Sequence, residues 1–463
     1  MKKVLRFAPV IVLASLLAGC QGPCEKLKSI TAPVTSVTVP SGTADFTTYM
    51  AVGTSISAGY QSGGLVDRHQ IHSFPAIFAE QIGKTVRQNG QGSFTFPAIG
   101  GDGIPALLAL KSISPLEIDN LGRTLGSPEN LFQGASYHNL GIPGALAFDF
   151  SDTTNYYSYN APLYRTDTTY FELIARGHGS IAEQVLGMSP TFLSVEYGAN
   201  EVLGSATSGG VTPIFPVINY QTIMTLMMNT LHVAMPNTKF ALFNVPSVTS
   251  IPYCTTFKPY TVRLANQSFV PLIGPDGSLS FSSLVLLSAA DSLAVGTGFP
   301  VGSYNYVNPA APGNGRPLTN AQVLDDAEQA AITTATNQMN ATLSTLASQP
   351  WVVKVDINSL LSQLGTNGYS FGGVDYTTAF VTGGLFSLDG VHPTDLGHAI
   401  IANAMIDAVN AKFGSAIPEA NPAAHITATA SGARPESGPQ GLPGAMRLRG
   451  IGTGLDALFP ARH

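Results

Sequence analysis

The sequence predicts an α/β fold in which a parallel sheet is covered by helices on both faces. Short apolar runs typical of strands, such as residues 49–52 and 351–355, alternate with longer segments of helical periodicity such as 220–235. Several of these runs stop at glycine-containing turns, where a buried strand would reach the edge of its sheet. Because strands that alternate with helices pair in parallel, the pattern indicates a layered α/β domain.

The chain begins with a segment typical of an exported protein. Basic residues precede an apolar run at 10–17, which is too short to span a bilayer comfortably as a permanent helix. The run ends in Leu-Ala-Gly-Cys20, which resembles the bacterial lipobox and implies removal of residues 1–19 and lipidation of Cys20. An ordinary signal peptide with a coincidental cysteine is the alternative. We therefore expect a cell-envelope lipoprotein anchored to a membrane, and the outer membrane is favoured because no Asp follows the cysteine.

Composition also divides the rest of the chain. Residues 20–45 are rich in Ser, Thr, Pro and Val and form a predicted flexible tether. A domain at 46–414 follows, and residues 415–463, rich in Pro, Gly and Ala, are predicted to be a disordered tail. The other two cysteines, Cys24 and Cys254, could form a disulfide in an exported protein, but two cysteines give no framework that would favour it over free thiols.

Within the domain, the pattern predicts five main strands and six main helices. The strands lie at 49–52, 137–140, 190–197, 239–245 and 351–355, and the helices at 73–82, 181–186, 220–235, 320–347, 357–364 and 396–413. Thr319 and Thr394 are predicted N-caps. The alternation breaks at 246–318, and a structureless loop of that length is rare in a compact domain. We predict an inserted lid or subdomain there.

Composition and spacing exclude several classes of function. Charged residues make up 11% of the 463-residue chain, whose formal net charge is −6, and no basic stripe would bind nucleic acid. Asp67, His69 and His72 lie in a predicted loop without further ligands, so we expect surface polar residues there and neither a metal nor another cofactor. His398 is expected to be solvated. The sequence carries no signal for the oligomeric state.

Asp389 and His392 lie three positions apart on a turn rich in Gly and Pro. On such a turn the carboxylate can orient the imidazole, and the imidazole can take a proton from a hydroxyl group. A capped surface turn with an ordinary Asp and His would have the same sequence, so the pair alone does not decide the function.

Ser55 is the candidate hydroxyl. It follows the apolar run at 49–52, so it would stand at the carboxyl edge of the sheet with backbone N–H groups free to face an anion. Its surroundings do not fit the G-x-S-x-G elbow, because position 57 is Ser rather than Gly.

Four blocks of the chain, in order, resemble the motifs of the SGNH/GDSL hydrolase family. The blocks are Gly53-Thr54-Ser55-Ile56, Asn139-Leu140-Gly141-Ile142-Pro143-Gly144, Gly198-Ala199-Asn200-Glu201 and Asp389-Gly390-Val391-His392-Pro393. They are similar to the family's G-D-S-L, N-x-x-x-x-G, G-x-N-D and D-x-x-H segments. One block alone would be uninformative, whereas four in the right order are specific.

The resemblance implies a flavodoxin-like, three-layer α/β/α core and a serine hydrolase mechanism. Ser55 is the implied nucleophile, His392 the general base and Asp389 the group that fixes the imidazole tautomer. The implied oxyanion hole consists of the Ser55 N–H, the Gly144 N–H and the side-chain amide of Asn200. Taken singly, Gly144 could be a plain tight turn and Asn200 a turn residue after a strand.

The resemblance further implies an exported, membrane-anchored serine esterase or lipase that acts on an ester of a lipid or an acylated glycan. The alternatives are a polysaccharide O-acetylesterase or an acyltransferase with the same site, or a non-catalytic binding lipoprotein. Two residues depart from the family pattern. Thr54 replaces an Asp whose carboxylate usually steadies the nucleophile loop, and Glu201 replaces the Asp that follows Asn200.

Overall fold

The computed structural model describes most of the predicted domain. The described residues are 39–113, 116–120, 122–151, 169–263, 265–426 and 447–448. The predicted signal segment, Cys20 and Cys24 lie outside them, so lipidation and the disulfide stay predictions. Cys254 is buried, and its Sγ lies 3.6 Å from the Val248 carbonyl oxygen. Among the described residues, no helix has both the length and the hydrophobicity of a membrane span.

A parallel sheet of five strands forms the centre of the structure. The strands are β1 (Tyr49–Gly53), β2 (Asn139–Gly141), β3 (Phe192–Glu196), β4 (Lys239–Phe243) and β5 (Val352–Val355). Their spatial order is β5-β4-β3-β1-β2, so β1 lies between the strands where the order reverses. In open sheets of this flavodoxin-like order, ligands bind at the carboxyl ends of the strands beside that reversal.

Helices cover both faces of the sheet. They are α1 (Ser55–Ala58), α2 (Asp67–Gln70), α3 (Phe74–Gln81), α4 (Thr169–Ala175), α5 (Ile181–Met188), α6 (Ala199–Thr207), α7 (Val217–Ala234), α8 (Pro252–Thr255), α9 (Ala290–Ala294), α10 (Asp326–Leu346), α11 (Ile357–Asn367) and α12 (Asp395–Phe413). Side chains alternate along the strands, so Met50 and Val52 face α7 and α10, whereas Tyr49 and Ala51 face α3 and α12. The predicted three-layer α/β/α fold is confirmed.

The helix predicted over 320–347 is present, but its predicted start is wrong. The helix begins at Asp326, because Asp325 rather than Thr319 is its N-cap. The Asp325 Oδ1 accepts from the Glu328 N–H at 2.8 Å, and the Glu328 Oε2 accepts from the Asp325 N–H at 2.8 Å, which forms a capping box. Residues Val323–Leu324 instead pair antiparallel with Leu284–Val285. Thr394 caps α12 as predicted, accepting from the Gly397 N–H at 3.2 Å.

Residues 246–318 contain short ribbons and short helices rather than one long loop. Tyr260–Val262 pairs with Phe269–Pro271, and Ile273–Gly274 pairs with Gly277–Ser278. The segment contacts the predicted catalytic turn, because the Tyr253 N–H donates to the Gly390 carbonyl at 2.8 Å.

The tail differs from its prediction near its start, because residues 415–426 pack on α12. The Asn410 side chain accepts from the Ile417 N–H at 2.9 Å and donates to its carbonyl at 2.9 Å. Asn403 bonds in the same way with both backbone groups of Ala420. The two side-chain amides thus provide hydrogen-bond partners for a backbone that has no regular secondary structure. Such a segment shows no apolar periodicity in its sequence.

Further along the tail, Arg447–Leu448 pairs in parallel with Leu116–Asp119. That strand belongs to an antiparallel hairpin with Ala109–Ile113. The other residues after 426 lie outside the described ranges.

Candidate active site

The side chains of Ser55, His392 and Asp389 form a continuous chain of hydrogen bonds. His392 Nε2 lies 2.9 Å from Ser55 Oγ, and His392 Nδ1 lies 2.9 Å from Asp389 Oδ2. Each of the three residues is at most 3% exposed. One imidazole therefore contacts both a hydroxyl group and a carboxylate, which is the arrangement that activates a serine nucleophile.

The fold brings these residues together from opposite ends of the domain. Ser55 is the first residue of α1, directly after β1, and His392 stands 337 positions later on the turn before α12. Because β1 lies between β2 and β3, the end of β1 is also close to the turns that carry Gly144 and Asn200. The site thus occupies the carboxyl edge of the sheet at the reversal of strand order.

Asp389 is held by several donors besides the imidazole. Its Oδ1 accepts from the N–H groups of Val391 and His392 at 2.9 Å each and from Ser387 Oγ at 3.1 Å. Its Oδ2 also accepts from the Gly63 N–H at 3.0 Å. Burial alone would raise the pKa of Asp389, but the facing His392 and these bonds outweigh it and hold the pKa below its ordinary value. The carboxylate is therefore charged when it faces the imidazole.

Neighbouring groups fix the turn and the ring. Gly390 has φ +71°, a conformation that favours glycine, and a Cβ there would crowd the 246–318 segment at 2.6 Å from Leu287 Cδ1 and 3.2 Å from the Tyr253 nitrogen. The Tyr60 ring packs on the His392 imidazole with 4.8 Å between the ring centroids.

Three N–H donors lie at neighbouring strand ends. Across the described part of the chain, the N–H groups of Ser55 and Gly144 donate to no protein acceptor. Asn200 Nδ2 donates to the Ala145 carbonyl at 2.8 Å, which ties this amide to the turn of Gly144 and leaves its second N–H available. Gly144 has φ +77°, a conformation that favours glycine.

Glu201 stabilises the same turn from below. The Ala147 N–H donates to Glu201 Oε1 at 2.7 Å, whereas Oε2 has no partner among the residues that the structure describes. Burial raises the pKa of Glu201 to about 7 despite the bond from Ala147, and the charges of Asp149 and Glu196 add to the effect. Below that pH the group is neutral and accepts a bond without burying a charge.

As pH rises to about 7 and above, Glu201 becomes charged and the wild type should lose free energy of unfolding. We expect the Glu201→Gln variant to keep this free energy, because its side chain stays neutral. A raised folded-state pKa means that stability is fully present below the unfolded value of 4.5 and is lost as pH rises through the folded value of about 7. The full loss corresponds to roughly 3 kcal/mol. Urea unfolding at pH 4 and pH 8 measures the loss, because between these pH values the free energy of unfolding of the wild type should fall relative to that of Glu201→Gln. Parallel pH dependences of the two proteins would contradict the prediction.

Glu196, at the end of β3, was not identified from the sequence. It is buried, and its carboxylate accepts hydrogen bonds from Thr54 and Ser57, on either side of Ser55 and Ile56. The available signal was a charged residue at the end of an otherwise uncharged, fully buried strand, since buried charges require partners.

The remaining histidine predictions are wrong in part. Asp67 is buried, and His69 Nδ1 lies 2.9 Å from Asp395 Oδ2. His72 Nδ1 lies 3.0 Å from His425 Nδ1. His398 is buried rather than solvated, because α12 is covered on that face as well, and burial lowers its pKa to about 3. In the described ranges, no group of three or more His, Cys, Asp or Glu residues could hold a metal ion.

Comparisons with known proteins identify similar chains. The family profile GDSL-like Lipase/Acylhydrolase matches residues 49–405. A GDSL-like lipase structure from Parabacteroides merdae is 12% identical, with 78% of this chain and 94% of that chain covered and a TM-score of 0.32. A mutant acetyl-xylooligosaccharide esterase from Geobacillus stearmophilus is 11% identical, with 79% and 94% covered and a TM-score of 0.33. An extracellular lipase from Streptomyces rimosus is 11% identical, with 78% and 98% covered and a TM-score of 0.30. No curated protein matches significantly.

Proposed function

We propose the following mechanism for this chain, which belongs to the GDSL-like lipase/acylhydrolase family. The protein is thus a carboxylic ester hydrolase. The proposal is that Ser55, His392 and Asp389 are its catalytic triad. The observation that carries the proposal is the unbroken chain from Ser55 Oγ through both nitrogens of His392 to Asp389, with 2.9 Å at each step.

In the acylation step, Ser55 Oγ attacks the carbonyl carbon of the ester while His392 Nε2 takes the hydroxyl proton. His392 then gives this proton to the leaving alcohol as the C–O bond breaks. In the deacylation step, the same imidazole takes a proton from water, and the water oxygen attacks the acyl carbon. The bond to Ser55 Oγ then breaks, His392 returns the proton to Ser55 Oγ, and the acyl group leaves as a carboxylic acid. Asp389 keeps the Nδ1–H oriented, so that Nε2 is the acceptor, and it stabilises the imidazolium that forms in each step.

The tetrahedral intermediate requires donors for its oxyanion. We assign this role to the N–H groups of Ser55 and Gly144 and to the free amide N–H of Asn200. Two observations support this assignment. Each of the three residues has an N–H without a protein acceptor among the described residues, and the three residues follow the adjacent strands β1, β2 and β3. Donors fixed in this way stabilise negative charge without reorganising during the reaction.

We further propose that the enzyme is exported and anchored to the outer membrane through a lipid on Cys20. The support is the charged start, the short apolar run and the Leu-Ala-Gly-Cys sequence at 17–20. Two or more acyl chains hold a protein at a membrane durably, whereas one does so only marginally. Mass spectrometry of the exported protein tests the proposal, and an unmodified Cys20 would refute it.

The substrate is proposed to be an ester of a lipid or of an acylated glycan. The test uses the mature protein and a panel of chromogenic acetyl, octanoyl and palmitoyl esters, together with acetylated polysaccharide. Faster hydrolysis of long acyl chains identifies a lipase, and acetate release from polysaccharide identifies an O-acetylesterase. Ester products formed when alcohols are added would identify acyl transfer. If no ester in the panel is hydrolysed faster than by Ser55→Ala, the proposed triad is refuted, and the scaffold is a binding protein.

A further inference from the structure

The carboxylate of Glu196 lies directly below the turn that carries Ser55. Glu196 ends β3 and is paired in register with Gly53, the last residue of β1. Its Oε2 accepts from the Thr54 N–H at 3.0 Å, the Ser57 N–H at 3.3 Å and Ser57 Oγ at 3.0 Å. Thr54 Oγ1 lies 3.0 Å from each carboxylate oxygen. Every donor comes from the two residues that flank Ser55 and Ile56.

The sequence around the nucleophile fits this carboxylate. Thr54 is the N-cap of α1, yet its side chain makes no cap bond and turns to Glu196 instead. A Cβ at Gly53 would lie 2.8 Å from Glu196 Oε2 and 2.3 Å from Ser57 Oγ, so the close approach of the carboxylate requires glycine at this position. The Glu196 carboxylate therefore packs against Gly53 and is hydrogen-bonded to the hydroxyl groups of Thr54 and Ser57.

The Glu196 carboxylate also determines which backbone N–H groups of the turn remain available to an oxyanion. The first N–H groups of a helix have no partner within the helix. Glu196 takes those of Thr54 and Ser57 and leaves that of Ser55 without a protein acceptor in the described ranges. A buried carboxylate is tolerated only when donors surround it, so the arrangement is rigid.

We propose that Glu196 is a positioning residue for Ser55, supplying from β3 the carboxylate that Thr54 does not carry. It holds the turn so that Ser55 Oγ meets His392 Nε2 and the Ser55 N–H faces the oxyanion. The inference rests on the proposed function of Ser55 and goes beyond it, because it assigns the geometry of the nucleophile to an acid that touches neither substrate nor imidazole.

The test is Glu196→Gln in the mature protein, assayed with the ester that the wild type hydrolyses best. An amide carries no negative charge and offers one acceptor oxygen, so the bonds from Thr54 and Ser57 are no longer charge-assisted and Thr54 Oγ1 has to rotate to accept from the NH₂ group. A misplacement of about 1 Å at a nucleophile can lower turnover about 100-fold, so we expect kcat to fall about 10- to 100-fold with KM nearly unchanged. The matched control is Glu183→Gln, because Glu183 also accepts from a backbone N–H and a hydroxyl, both of Ser180, in the capping box of α5. The control should keep the wild-type kcat.

A second substitution separates positioning from general stabilisation. Thr54→Asp, added to Glu196→Gln, returns a carboxylate to the same contact from the other strand, and we expect it to restore at least several-fold of the lost kcat. Thermal unfolding of each variant is measured beside its activity. If Glu196→Gln does not fold, Thr54→Val replaces it, since this isosteric change removes one hydroxyl donor and should lower kcat by about 5-fold, equivalent to one hydrogen bond.

The positioning role of Glu196 and the proposed catalytic triad can fail separately, because ester hydrolysis by the wild type tests the triad without any change at Glu196. An active wild type with an equally active Glu196→Gln variant would overturn the positioning role alone. A loss of kcat that Thr54→Asp does not restore, and that follows the loss of thermal stability, would show that Glu196 only holds the fold together.

Discussion

Ser55→Ala is expected to lower kcat by about 10⁴- to 10⁶-fold, as removal of the nucleophile does in serine hydrolases. The substitution deletes only the Oγ that lies 2.9 Å from His392 Nε2. The N–H donors assigned to the oxyanion remain, so KM should change little and a residual rate above that in water should persist. Steady-state hydrolysis of the best chromogenic ester gives the ratio, and a fluorophosphonate probe should label the wild type at Ser55 but leave the variant unlabelled.

The matched control for this change is Ser73→Ala. Ser73 is also buried, and its Oγ has no hydrogen-bond partner within the ranges that the structure describes. The same loss of a buried hydroxyl should therefore leave kcat within about 3-fold of the wild type, as expected for a substitution that breaks no interaction. Labelling at another serine, or turnover by Ser55→Ala close to that of the wild type, would remove Ser55 from the mechanism.

The charged neighbours of Asp389 and Glu201 explain why their pKa values shift in opposite directions, because Asp389 faces the His392 imidazole whereas Glu201 lies near the acids Asp149 and Glu196. Asp389 accepts from Gly63, Ser387, Val391 and His392, and its pKa is lowered. Glu201 accepts from the Ala147 N–H, and its pKa is raised to about 7. Both are buried, so burial alone cannot separate them. Below about pH 7 the site therefore holds one charged acid, which orients the imidazole, and one neutral acid, which supports the turn of Gly144.

The fold could be predicted from the sequence because its strands are buried on both faces. Uninterrupted apolar runs such as Tyr49–Gly53 and residues 240–243 are typical of strands of that kind. The three residues of the hydrogen-bonded chain could also be selected, since their motifs are short and local. Whether Ser55 meets His392 could not be read from spacing, because the contact spans 337 positions and depends on the order of the strands.

Other features could not be predicted because they depend on contacts between distant segments. Glu196 reads as a polar strand end, and its role becomes visible only when Gly53 and Ser57 lie beside it. His398 resembles an exposed helix position in the sequence, because the first turns of α12, Asp395 to Ile400, are buried on all sides and no polar stripe marks their faces. The 415–426 segment shows no apolar periodicity in its sequence. Its packing depends on contacts with α12, such as the two hydrogen bonds between the Asn410 side chain and the backbone of Ile417.

Asp389→Asn is expected to lower kcat by about 10⁴-fold while the fold is kept. The amide oxygen would occupy the Oδ1 position, where the Val391 and His392 N–H groups converge. The NH₂ group would then face His392 Nδ1, which would have to become an acceptor. The imidazole proton would move to Nε2, and the ring could no longer take the proton of Ser55. Steady-state kinetics and the rate of fluorophosphonate labelling should decline together, with KM within a few-fold of the wild type.

A second Asp–His pair, of which the Asp is buried, provides the control for this prediction. Asp395 lies 2.9 Å from His69 Nδ1 and is as buried as Asp389, and it stands six positions further along the chain. Asp395→Asn therefore makes the same chemical change to a similar pair that is separate from the Ser55 imidazole. We expect both variants to lose stability but only Asp389→Asn to lose turnover by orders of magnitude. Equal losses of kcat in the two variants would show that buried charge in this region stabilises the domain as a whole, and the tautomer argument for Asp389 would fail.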